Sequence, residues 1–251
     1  MNLDRFTGLP QWPLRSHGGK GVDRIMKSLL KLKPASMILI AALAFWAPAA
    51  SASLVIFGDG QWGDFTGSIT YHAADASHAT LQVLLHNSSP LENGGFLTGF
   101  ALNNPDNLIS TVTAFQSTNP NFKLLGGPGF QDGINGAPYG QFDLGASTFK
   151  SLEGGGKPSK GLAVGATETF TFTLAGSLLL SLDEWSFVQE LSVGPGIGEG
   201  AQFMVARFRG FDNGASNKTA GHAVPLPGTL ALLGSGLAGL AFYRRRANLK
   251  G

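Results

Sequence analysis

The chain has no cysteine, which excludes a disulfide framework, thiolate zinc sites and a cysteine nucleophile. Charge is scarce at 14% of residues, and cations are scarcest in the middle. Residues 53–223 hold seven Lys/Arg against fourteen acids, a formal net charge of 7 − 14 = −7. A domain this acidic has no electrostatic footprint for nucleic acid. The overall +2 comes from the ends. What is abundant is glycine, 36 of 251 residues, within a chain that is 43% hydrophobic. That combination excludes a disordered chain and suits an all-β extracytoplasmic protein with many turns.

Each end pairs basic residues with an apolar run. Met26-Lys27-Ser28-Leu29-Leu30-Lys31-Leu32-Lys33 precedes an apolar stretch from Met37 to Trp46, and Ala50-Ser51-Ala52 follows. A basic segment, an apolar core of about ten residues and a small-x-small site define a secretory signal peptide. Cleavage is expected between Ala52 and Ser53, by signal peptidase. The run is short for a membrane span of about 20 residues, so a retained anchor is the lesser reading. Residues 1–25 lack periodicity and stand outside the fold argument.

At the other end, 21 uncharged residues run from Ala223 to Tyr243, followed by Arg244-Arg245-Arg246. A helix of that length spans about 30 Å, the thickness of the hydrocarbon core. Pro225 and Pro227 keep its first residues extended. Gly234, Gly236 and Gly239 are tolerated in membrane helices. The three arginines place the far end in the cytoplasm. A buried core helix is the competing reading, and the terminal arginines argue against it.

The series Val224-Pro225-Leu226-Pro227-Gly228, then the Gly-rich apolar run, then Arg244-Arg245-Arg246 resembles the PEP-CTERM sorting signal in its VPLP-type variant. Leu226 stands where the namesake motif has glutamate. The resemblance implies an exported protein of a Gram-negative bacterium. It implies an inner-membrane-anchored precursor facing the periplasm, recognised by an exosortase and passed to the cell surface or extracellular matrix.

Between the ends, period-two patterns alternate with turn residues. Phe65, Ile69 and Tyr71 share one face, as do Leu81, Val83 and Leu85. Phe96, Thr98, Phe100 and Leu102 form a third set, and Ile109, Thr111, Thr113 and Phe115 a fourth. In Thr167–Leu174, Phe170, Phe172 and Leu174 oppose the threonines. Met204, Ala206 and Phe208 are expected inward, with Arg207 and Arg209 in water. Such strands, separated by Asn/Pro/Gly turns, predict an antiparallel β-sandwich. One short helix is predicted over 182–191, opened by a capping box from Ser181 to Glu184. The expected organisation is an upstream extension and signal peptide over 1–52, a sandwich ectodomain over 53–211, a polar linker over 212–223, and the sorting tail with its transmembrane helix over 224–251. The segment 190–211 also resembles the end of a β-rich ectodomain found before such tails.

Chemistry is weakly signalled. Gly154-Gly155-Gly156-Lys157-Pro158 fails as a phosphate loop, because Pro158 replaces the required Ser/Thr. Gly194–Gly200 is no dinucleotide fingerprint. His72, His78 and His86 match no standard zinc spacing but can meet across strands. The stretches Asp59–Asp64 and Asp132–Gly136 offer oxygens to calcium, and also read as hairpin turns. Asp183 with Glu184, or Glu190 with Glu199, are the candidate carboxylate pairs. Trp62, Phe130 and Tyr139 are candidates to stack on sugar rings. The expectation is a protein without catalysis, cofactor or metal. Its expected partners are the membrane, its processing enzymes and an extracellular polysaccharide. The alternatives are a carbohydrate-binding or carbohydrate-acting module on the same fold, and a permanently tail-anchored periplasmic protein.

Overall fold

The computed structural model describes residues 53–126 and 129–224. Ala50, Ala52, the residues from Pro225 to Gly228, the rest of the apolar tail and Arg244–Arg246 lie outside the described residues. Among the described residues, no helix is long and apolar enough to cross a membrane.

The fold is mostly β, and every strand pairing is antiparallel. One sheet holds β1 (Ser53–Phe57), β2 (Phe65–Ala73), β3 (His78–Asn87), β5 (Ile109–Gln116), β11 (Thr167–Gly176) and β15 (His222–Val224), in the order β15-β1-β2-β3-β11-β5. The second holds β4 (Gly94–Leu102), β6 (Lys123–Leu125), β9 (Leu144–Ser147), β13 (Met204–Phe211) and β14 (Ser216–Ala220), in the order β14-β13-β4-β9-β6. The short β10 (Leu162–Ala163) also pairs with β4. A small third sheet is made of β7 (Ile134–Asn135), β8 (Tyr139–Phe142) and β12 (Val193–Ile197).

The first two sheets share one core. Ile69, Leu81, Val83, Phe170 and Phe172 enter it from one side, and Phe100, Leu102, Met204, Ala206 and Phe208 from the other. Phe100 bridges the sheets, its ring 4.7 Å from Phe170 and 6.3 Å from Phe172. Such tilted and edge-on contacts suit the aromatic quadrupole. In β3 and β11 the alternation read from sequence holds, since one face meets the core and the other meets water.

Two strands depart from simple alternation through bulges. Arg207 of β13 faces Gly99 of β4, but Phe208 faces Leu97, so Thr98 is an extra residue. The insertion reverses the parity of β4. Leu97 therefore joins Phe100 and Leu102 in the core, where Phe96 was expected. β5 slips twice against β11, leaving Ser110 and Thr113 unpaired. Its inward residues are consequently Ile109, Val112 and Phe115, three apart, while Thr111 and Thr113 are exposed.

A second, smaller core lies on the far face of the second sheet. Ala101 and Val205 meet Leu125, Ile134, Phe142 and Leu152 there. Arg207 and Lys218 share that face, so both are half-covered or buried, and Arg207 is not the solvated residue expected. Glu153 serves both. Its carboxylate accepts from Lys218 Nζ at 2.9 Å, and its carbonyl accepts from Arg207 Nη2 at 3.2 Å. Burial, the larger cause in each case, lowers the pKa of both cations from their ordinary values. Arg209, also expected in water, donates to the Gly155 carbonyl.

The helix α1 (Glu184–Gln189) is shorter than expected and capped differently. Asp183 is the N-cap, accepting from the Ser186 N–H at 2.9 Å, and Ser186 Oγ accepts from the Asp183 N–H at 3.1 Å. Ser181 instead donates to the Leu178 carbonyl, within a tight turn. Glu184 is buried and turns away from the cap to accept the Tyr71 N–H at 3.0 Å. That bond ties the helix to the first sheet across 113 residues of sequence. The segment expected as a polar linker is not one, because β14 and β15 occupy most of it and pair with β13 and β1. Backbone pairing recruits Ser216–Ala220 although its side chains carry no apolar alternation.

Candidate functional site

Two features converge at one end of the first sheet: the root of the tail and a groove beside it. The root is β15. Val224 pairs with Val55, Ala223 with Ile56 and His222 with Phe57. The first strand and the last strand thus run side by side, so Ser53, the expected mature N-terminus, emerges beside the exit of the tail. Val224 is the last described residue, and Pro225, which follows it in sequence, has no N–H to offer a ladder. His222 also stacks on Phe57, with ring centroids 5.4 Å apart, and its Nε2 lies 3.2 Å from Asp59 Oδ2.

Asp59 leads into the groove, a concavity of about 490 Å³. Its walls come from the loop between β1 and β2, from Tyr139 at the start of β8, from Glu199 after β12, and from β14. The loop is held from several sides. Thr219 Oγ1 donates to the Gly63 carbonyl at 2.6 Å. Asn93 Nδ2 donates to the carbonyls of Gln61 and Trp62 at 3.0 and 3.3 Å. Gly60 lies so close to Thr219 and the Gly63 carbonyl that any Cβ there would collide with both. The Trp62 ring rests on Phe211, centroids 5.9 Å apart, yet stays 42% exposed.

Tyr139 is half-buried beside two carboxylates. Burial first, then Glu199 and Asp59, push its hydroxyl up to about 12. Lys218 lines the same groove, but its ammonium donates to the Ala137 carbonyl at 2.7 Å and to Glu153. A second concavity of about 570 Å³ differs in character. Lys123, Lys150 and Lys160 line it around an exposed Phe149. None of these lysines has an ion-pair partner among the described residues.

The other sequence candidates are dispersed. Phe130 is buried in the main core rather than exposed beside Trp62. Asp183 caps the helix and Glu184 holds Tyr71, which gives both structural tasks. Glu190 accepts from Asn103 Nδ2 through its backbone carbonyl and from the Asp106 N–H through its carboxylate, while Glu199 lines the groove. His78 pairs with Asp75, and His86 bonds Thr167 at the other end of β3. Among the described residues, no cluster of three or more His, Asp or Glu is placed to hold a metal ion. Of the two stretches weighed for calcium against ordinary turns, in the first Asp59 pairs with His222 and Asp64 accepts the Phe65 N–H at 2.7 Å. In the other, the Asp132 N–H donates to Asp143. Sequence reasoning missed the contribution of Asn217 and its strand, because nothing in Ser216–Ala220 signals burial or pairing.

The described chain is thus a β domain whose last strand leads directly into a distinct C-terminal segment. That segment is identified by a family model described as the PEP-CTERM protein-sorting motif, which matches residues 223–246. The chain carries this motif, and Ala223 and Val224 belong to both the motif and β15. No curated protein and no solved structure matches the chain.

Proposed function

We propose that this protein is an exported β-sandwich ectodomain, delivered to the bacterial envelope or extracellular matrix by its PEP-CTERM motif, and working by binding or structure rather than catalysis. The motif at residues 223–246 carries the reading. It supports export through the signal peptide cut before Ser53, anchoring by the apolar run, and processing by an exosortase at Val224–Gly228. Arg244–Arg246 hold the precursor with its domain in the periplasm. The non-catalytic part is supported by how the buried acids are used. Glu168 accepts from Ser117 and Thr118, Glu184 from Tyr71, and Asp143 from Asn104 and Asp132. Each is occupied in holding backbone, which leaves no free acid–base pair among them.

The juxtaposition of β1 and β15 adds a consequence for processing. No spacer separates the folded sheet from the motif, so the enzyme must act on a tail whose root is already paired. Intact-mass spectrometry of the native protein tests the reading. The expected species begins at Ser53 and lacks Arg244–Arg246. A mature mass that retains residues up to Gly251 would establish a permanent anchor instead.

A further inference from the structure

We infer that the groove beside the tail root binds a neutral polysaccharide chain, with Trp62 and Tyr139 stacking on pyranose rings and Asp59, Gln61, Glu199 and Asn217 taking hydroxyl groups. This goes beyond the sorting reading and does not depend on it. Three observations point to such a ligand. First, the volume of about 490 Å³ falls within the usual range of small-molecule sites, and the groove is open to solvent rather than enclosed.

Second, the aromatic platform is pre-positioned. Exposing a tryptophan costs hydrophobic free energy, and this one is also fixed, by Phe211 under its ring and Asn93 on its carbonyl. A rigid, exposed aromatic face loses little entropy on meeting the apolar C–H face of a sugar. The polar groups around it are side-chain carboxylates and amides, which accept from and donate to hydroxyl groups.

Third, charge selects the class. Asp59 and Glu199 bring two carboxylates to the groove. Its single lining cation, Lys218, is already taken by Glu153 and the Ala137 carbonyl. A uronate or phosphate polymer would meet like charge from Glu199 and from Asp59 beside His222, whereas a neutral chain would not. Within a domain of net charge −7, the lysine-lined concavity is the one suited to polyanions.

Calorimetric titration of the intact protein in detergent, with hexamers of hexose, N-acetylhexosamine and hexuronate, tests the inference. A neutral hexamer is expected to bind saturably, at least about tenfold tighter than the uronate, and Trp62→Ala is expected to weaken it by about tenfold or more. Glu199→Gln alters an exposed side chain and leaves the packing intact. It should lower neutral affinity several-fold, at unchanged melting temperature, and narrow the gap to the uronate. Absence of saturable binding by both neutral hexamers would overturn the inference. So would tighter binding of the uronate, or neutral binding that survives Trp62→Ala but is lost in Lys123→Ala or Lys150→Ala.

Discussion

The two main sheets are built from similar residues and solve different problems. The first sheet, with β3 and β11 at its centre, is buried on one face and wet on the other. The second, with β4 and β13 at its centre, is buried on both, since a second core and the third sheet cover its outer side. One-sided burial leaves a clean period of two, while two-sided burial erases it. The double cover also explains the unusual polar chemistry of the second sheet. Arg207 and Lys218 stand where a solvated face was expected, and Glu153 keeps them paired.

This contrast can be broken most severely at the shared core. Phe170→Ala removes a fully buried ring that touches Phe100 and Phe122, and should cost about 3–5 kcal/mol in denaturant unfolding. Val205→Ala, in the smaller second core, should cost only about 2 kcal/mol. Equal losses would mean that the second core is no satellite. The next effect is electrostatic. Glu153→Ala strands the buried Lys218 ammonium and should destabilise by about 2 kcal/mol. Lys218→Met removes the charge itself, keeps the alkyl volume, and should lie within about 1 kcal/mol of the parent. Melting curves of the two variants decide whether the pair is more than mutual compensation.

The smallest effect is a pH response. Tyr71, facing the main core, and Tyr139, beside the groove, are both pushed up to about 12, chiefly by burial. A raised folded pKa favours the neutral phenol. The stability it contributes is complete below the ordinary tyrosine value of about 10 and is lost as pH rises through about 12. Tyrosinate absorbance should therefore show two residues titrating late, one removed by Tyr71→Phe and one by Tyr139→Phe. Titration of either near pH 10 in the folded protein would show that its site is wet.

Legibility followed the same divide. Phe65, Ile69 and Tyr71, or Leu81, Val83 and Leu85, announce their faces because nothing interrupts the pleat. Phe96, Thr111 and Thr113 mislead, because a bulge leaves no local signature in side-chain chemistry. Ser181 and Glu184 satisfy a capping pattern, yet Asp183 and Ser186 do the capping, since Glu184 is drawn to the Tyr71 N–H. The stretch 212–223 looks like a linker because strand pairing uses backbone groups that every residue carries. Trp62 is the exposed aromatic among the three candidates, Tyr139 is half-buried and Phe130 is buried, and nothing local in the sequence tells them apart.

By sequence alone, the PEP-CTERM sorting motif was determined. The PEP-CTERM motif is linear, a proline pair, an apolar run and arginines in order, and such a series needs no fold to be recognised. Tertiary structure alone decided that the motif begins inside a strand paired with β1. It also decided that Asp59, Trp62, Tyr139, Glu199 and Asn217 meet in one groove. Those residues are scattered along the chain, and only strand register and the cover over the second sheet bring them within reach of one ligand.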